Sequence, residues 1–418
     1  MKLARLTPST VLTGAFVAAL LAAPARGDVI MDWNAKADAI AAAKGVGTPQ
    51  HGRGLAVLHL AMFEAVNAIE RRYTPYKLAL TADRNTSKEA AAAAAGHDVL
   101  LALYPDQKAD LDAVLAKALA AIHEDEPKAK GVALGKKAAA EMVALCANDG
   151  SDAAESYRPV TTPGAYIPTA TVISSTVGGF RPWVMTSGSQ FRPAPPVALD
   201  SETWTRDLNE IRELGERNSK KRTAEQTTIA RFWFLTGART YNPLIHQAVT
   251  AKGMDLVDSA RLFALVSIAG IDAYIAVFDA KFAYNFWRPV TAIRNADLTG
   301  NKATPREASW LPLGETPMHP EYPCAHCITS GAVAAVFQGV VGDSIGEMSL
   351  TSPTAPGVTR KWTRFKDYSD EVSNARIYAG FHYRFSTEIG ADMGRKIGEL
   401  TVTTLLRPAA AAPAQAKR

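Results

Sequence analysis

The chain has 418 residues, of which 47% are hydrophobic, 21% charged and 8% aromatic. That length supports one large domain or two medium ones, and the composition excludes an intrinsically disordered chain, a collagen-like repeat and a disulfide-dense mini-scaffold. A formal net charge of +5 hints at anionic partners, so the placement of the charges has to be followed along the chain.

Residues 1–27 read as an export signal. Lys2 and Arg5 form a basic start, Val11 to Ala23 is an apolar run, and Ala25-Arg26-Gly27 places small residues where a signal peptidase cuts. The run is shorter than the ~20 residues of a bilayer span. Cleavage near Gly27 and a mature chain beginning at Asp28 are therefore expected, periplasmic or secreted, with no lasting membrane anchor. Setting aside Lys2, Arg5, Arg26 and the terminal Lys417 and Arg418 makes basic and acidic residues equal in number. The body is neutral, and nothing in it points to nucleic acid.

From there the pattern is helical. The 3.6-residue period predicts helices over Trp33–Lys44, Gly52–Arg72, Lys88–Tyr104, Asp106–His123 and Lys128–Asp149. Residues 151–200 differ: they hold seven of the 24 prolines and few charges. Tyr166, Phe180, Trp183 and Phe191 give this stretch anchors that a free linker would not need, so it reads as an ordered wrap. Helical spacing returns over Trp204–Arg217, Thr223–Trp233, Pro243–Lys252, Asp255–Trp287, Ile328–Val341, Asp367–Ala379 and Thr387–Leu406. Strand signals are weak throughout. The expected organisation is an all-α, two-lobed helical bundle: an N-terminal helical lobe with its Pro-rich wrap over 28–200, a C-terminal helical domain over 201–407, and a disordered tail over 408–418. The phosphate-cradling glycine loops and the GxSxG elbow are absent from the sequence.

Three short segments concentrate unusual polar groups. In Lys281-Phe-Ala-Tyr-Asn-Phe-Trp-Arg288-Pro289, the two cations stand about two helical turns apart and so share one face, with Pro289 ending the helix. A guanidinium fork and an ammonium with no acid between them suit a tetrahedral oxyanion. In His319-Pro-Glu-Tyr-Pro-Cys324-Ala325-His326-Cys327, a tight turn opens a helix whose first N–H groups are unpaired and offer an anion site. His326 then stands where it can exchange a proton. In Arg376-Ile-Tyr-Ala-Gly380-Phe-His382, the cation and the imidazole converge only if the helix bends between them, which Gly380 permits.

Taken in order, Lys281/Arg288/Pro289, Pro323/His326 and Arg376/His382 resemble the K-x6-R-P, P-S-G-H and S-R-x5-H-x3-D motifs of the type-2 phosphatidic acid phosphatase/vanadium haloperoxidase superfamily. Asp32-Trp33-Asn34, His59 through Asn67, and Arg222 through Gln226 with Phe232-Trp233 look like its bacterial, secreted, haloperoxidase-like branch. The resemblance implies vanadate, or phosphate in the same pocket. Lys281, Arg288 and Arg376 would neutralise its oxygens, the Ala325 N–H and Cys324 side chain would contact it, His382 would be the axial group on vanadium, and His326 would be the acid/base. It also implies hydrogen peroxide and halide as substrates, or a small phosphate ester hydrolysed through a phosphohistidine. His319 stands where bromo- and iodoperoxidases carry His and chloroperoxidases Phe, favouring bromide or iodide.

The sequence departs from the family at four positions: Cys324 for Ser, Ala325 for Gly, Ala375 for Ser, and Ser386 for the Asp that orients the axial imidazole. The last leaves Glu388 or a backbone carbonyl to orient His382. Cys324 and Cys327 form a C-x-x-C pair, open to a disulfide that would distort the anion site; the helical context argues against a thiol oxidoreductase, and the cluster has too few ligands for zinc. Haloperoxidase, acid phosphatase and a catalytically inactive anion-binding protein are the competing expectations. The oligomeric state is not encoded legibly.

Overall fold

The computed structural model describes residues 28–409 apart from 124; the expected export signal lies outside the described residues. Helices α1 (Val29–Ala43), α2 (Thr48–Glu70), α3 (Lys88–Leu103), α4 (Lys108–Ala120) and α5 (Asp125–Leu145) fill the first part. Their starts follow local chemistry: the side chains of Asp28 and Ser87 accept the N–H of Ile30 and Ala90, satisfying orphan donors at α1 and α3. After the wrap come α6 (Glu202–Leu214), α7 (Ala224–Phe232), α8 (Ala238–Lys252), α9 (Leu256–Tyr284) and α10 (Pro289–Arg294). Helix α11 (Ala325–Val341), strands β1 (Met348–Ser352) and β2 (Ala355–Trp362), and helices α12 (Phe365–Tyr378) and α13 (Arg384–Thr404) complete the order. Among the described residues the protein is all-α apart from one antiparallel hairpin, registered Met348 to Trp362 with a bulge at Thr351/Ser352.

Helices α9 and α11 have buried residues on every face and are wrapped by α2, α12 and α13. α9 has the length and apolar character of a membrane span, yet it is the core helix of the bundle. The main hydrophobic core runs through Ile30, Phe63, Phe263, Phe337 and Ile397, drawing on both sides of residue 200.

α13 meets α11 along Gly390, Gly394 and Gly398. A Cβ at Gly390 would stand 2.7 Å from Cys324 O, one at Gly394 would overlap Ile328 O, and one at Gly398 would stand 2.5 Å from Ala332 O. Only hydrogen at these three positions allows so close an approach.

The Pro-rich stretch is the ordered wrap that its aromatics predicted. Asp272, inside α9, accepts the N–H groups of Trp183 (2.8 Å), Val184 (2.8 Å) and Met185 (3.0 Å). Burial pushes its carboxyl up to about 6, against these three donors. Arg192 pairs bidentately with Asp279 one helical face along.

Two expectations are corrected. The helix predicted over Asp255–Trp287 stops at Tyr284, because Asn285 turns left-handed (φ 46°) with its N–H on Lys281 O, and residues 285–287 pair instead with the wrap: Tyr166 N donates to Asn285 O (2.7 Å) and Trp287 N to Gly164 O (2.9 Å). Lys281 and Arg288 therefore do not share a helix face. The expected disordered tail begins in order: Thr74 N donates to Arg407 O and Ala409 N to Arg72 O, both at 2.8 Å. Residues 410–418 lie outside the described residues.

Candidate active site

A cavity of about 580 Å³ opens where the three motif segments meet, with His319, Ala325, His326, Arg376 and His382 in its wall; the remainder mixes aromatic side chains such as Phe234 and Phe278 with polar ones, among them Gln50, Thr236 and Glu315. Each segment reaches it by a different device. Arg288 is the N-cap of the short helix α10, with Pro289 at its first position. Cys324 caps α11, so Ala325 and His326 stand in its first turn. Arg376 lies in the last turn of α12, and Gly380 (φ 81°) turns the chain so that His382 comes back against the cavity before α13 begins. Lys281, Arg288, Arg376 and His382 are each at most 1% exposed.

The donors are unequally committed. Lys281 Nζ donates to Pro320 O (2.8 Å) and Glu321 O (2.7 Å). Arg288 Nε donates to His319 O (2.9 Å), and its Nη1 to Phe381 O (3.0 Å). Arg376 Nη1 donates to Trp233 O (2.6 Å), and its Nε has no partner. Of the three expected anion-binding cations, only Arg376 lines the cavity; the other two are buried beside it, fastening the loop that carries His319 to Glu321. Desolvation lowers all three pKa values, to about 10 for Arg288 and about 9 for Arg376.

His382 sits between fixed partners. Its Nε2 lies 3.3 Å from Arg288 Nη1 and its Nδ1 2.7 Å from Glu321 Oε1. A guanidinium can only donate, so Nε2 accepts and Nδ1 carries the proton. The imidazole is neutral, its pKa driven well below the ordinary histidine value by burial and then by Arg288 and Lys281. His326, also held neutral by burial and Arg376, has an Nε2 with no partner. His319 Nδ1 stands 3.0 Å from Arg288 Nη2, and its ring meets Phe278 edge-on at 5.2 Å.

The C-x-x-C pair is a Cys324–Cys327 disulfide with Cα atoms 5.3 Å apart. It leaves the start of α11 regular: Cys324 Sγ accepts the N–H of Cys327 (3.2 Å) as the helix cap. A disulfide sulfur carries no proton, so Cys324 supplies no donor to an anion, and the anion contact expected of its side chain is not available. The first-turn N–H groups, which have no intrahelical acceptor, remain. Titration of the unfolded, unreduced chain should find one free thiol, the buried Cys146, and all three cysteines only after reduction; three thiols without reductant would show the pair to be open.

Glu388 does not orient His382. Glu321 does, a carboxylate that the motif spacing did not single out; its position between Pro320 and Pro323 in a buried loop was the available signal. Trp233, from the segment that resembled the secreted branch, holds Arg376 through its carbonyl. Asn34 and His59 lie elsewhere, in a buried network with Asn242 that ties α1, α2 and α8.

Residues 261–410 match the family model described as the VCPO second helical-bundle domain. The C-terminal part of the chain therefore resembles the second helical-bundle domain of vanadium haloperoxidases. Vanadium chloroperoxidase of Curvularia inaequalis is 29% identical over 240 aligned residues, covering 42% of this chain and 38% of that protein's length. Among solved structures, a bacterial vanadium-dependent iodoperoxidase superposes with a TM-score of 0.76 at 24% identity, over 92% of this chain and 97% of the other. The apo form of a bacterial vanadium-dependent chloroperoxidase gives 0.65 at 16% identity, over 85% and 92%. The all-α bundle is thus the vanadium-haloperoxidase fold.

Proposed function

We propose that the protein is an exported, vanadate-dependent haloperoxidase that oxidises bromide or iodide with hydrogen peroxide. The observation that carries the reading is His382: a buried, neutral imidazole whose unprotonated Nε2 meets Arg288 at the edge of a cavity that also holds Arg376 and His326. The unpartnered Arg376 Nε and His326 Nε2 fit an oxyanion, which would satisfy both. His382 Nε2, Arg376 and the first-turn N–H groups of α11 would hold it, and Arg288 and Lys281 would add positive potential from behind. Bound vanadate supplies a Lewis acid that polarises peroxide. His326 holds or takes up a proton at Nε2. His319 beside Arg288 supports bromide or iodide over chloride.

Metal analysis and a halide panel on the mature protein test this. Vanadate-dependent oxidation of bromide or iodide is the expected result. Hydrolysis of phosphate monoesters that vanadate inhibits, without halide oxidation, would overturn it in favour of an acid phosphatase; neither activity, with no vanadate-dependent thermal shift, would leave an inactive anion-binding bundle. Cys324→Ser in the same assay asks whether a restored hydroxyl improves oxyanion binding; equal activity would show the disulfide not to be limiting.

A further inference from the structure

Ser386 occupies the place where an aspartate on α13 would orient the axial imidazole, and its buried hydroxyl has no partner. The carboxylate that reaches His382 comes from a different element. Glu321, 0% exposed, sits in the loop before α11; its Oε1 accepts His382 Nδ1–H at 2.7 Å and Tyr383 N–H at 3.1 Å. Its backbone carbonyl is in turn held by Lys281 Nζ. Burial pushes the Glu321 carboxyl up to about 7, opposed by Lys281 and Arg288 and less by the nearby Ser386; Glu321 Oε2 and Ser386 Oγ have no hydrogen-bond partner. An aspartate at 386 would put a second carboxylate against the first, which like charges oppose.

We propose that Glu321 is the positioning residue for His382, fixing its Nδ1–H tautomer and presenting Nε2 to the cavity, in exchange for the carboxylate missing at Ser386. A carboxylate behind a ligating histidine both locks the ring and raises the basicity of the far nitrogen. The two elements thereby become linked: the loop that delivers the start of α11 also aims the imidazole that precedes α13. This assignment rests on the reading of His382 as an oxyanion ligand, and the experiment separates the two.

In the full chain labelled with 15N-histidine, with the resonance assigned through His382→Gln, His382 should show the Nδ1–H tautomer; an Nε2–H tautomer would overturn the proposal. By calorimetry, Glu321→Gln should weaken vanadate binding about 10- to 100-fold, while inorganic phosphate, held by charge without a bond to nitrogen, should bind nearly as before. Glu321→Gln/Ser386→Asp should recover vanadate affinity, because the second site then supplies the carboxylate. Equal loss of both anions, or no loss of vanadate, would overturn the assignment. If the unaltered protein binds no vanadate, the haloperoxidase reading fails and the tautomer decides the part of Glu321 by itself. The tautomer likewise decides if Glu321→Gln does not fold.

Discussion

Arg376→Met should lower vanadate-dependent halide oxidation about 100- to 1,000-fold, the usual cost of one preorganised charge-stabilising donor, while leaving a folded protein. Arg376 is the one motif cation in the cavity wall, and its Nε is unpartnered. Methionine keeps the length of the stem and its contact with the Phe381 ring, over which the guanidinium now lies at 4.8 Å. The structural cost is the Trp233 carbonyl left without its donor, about 1–3 kcal/mol. Lys281→Met makes the contrast. It strips two buried carbonyls of their donor at once, those of Pro320 and Glu321, so its urea midpoint should fall further than that of Arg376→Met. Steady-state kinetics beside urea unfolding distinguishes the two cations. An Arg376→Met protein with undiminished turnover would remove Arg376 from the site.

The second large effect is expected at Gly394→Ala. Helix propensity alone predicts a gain of about 1 kcal/mol from this change in a helix interior. The added methyl would overlap Ile328 O, a backbone atom of α11 that cannot turn aside, and overpacking of this kind costs about 1–3 kcal/mol. The sign of the change therefore decides whether α11 and α13 meet as closely as described. Oxyanion binding should weaken together with stability, because the seam ends at Gly390 against Cys324, beside the first turn of α11, while α13 itself begins two residues after His382. A urea midpoint that rises in Gly394→Ala would refute the close approach.

The helical class and the return of His382 towards the cavity were legible because each rests on spacing that survives without tertiary context, the 3.6-residue period and a glycine that lets the chain turn, whereas the helix expected to end at Pro289 ends at Tyr284. What escaped depends on partners far along the chain. Nothing local says that residues 285–287 leave α9 to pair with Gly164 and Tyr166. The hairpin at 348–362 has little alternation, since half of β2 is exposed and only its two ends are buried. Glu321 was hidden because the expected orienting group lies at a fixed offset from His382, and its replacement arrives from a residue 61 positions earlier. The cysteine spacing was compatible with both a disulfide and two thiols, and only the bond between the two sulfurs at the start of α11 distinguishes them.

The wrap held by Asp272 has a consequence for how this protein can be divided. The segment lends Ile173 and Ser174 to the cavity wall, seats Gly164 and Tyr166 on the turn between Lys281 and Arg288, and lies on α9 through three backbone N–H groups. A fragment starting after it would keep all seven motif residues and lose the part that shapes their turn and lines their pocket. The inheritable unit of activity is therefore larger than the motif-bearing domain. Recombination or proteolysis between residues 151 and 200 would separate a recognisable catalytic sequence from a working site.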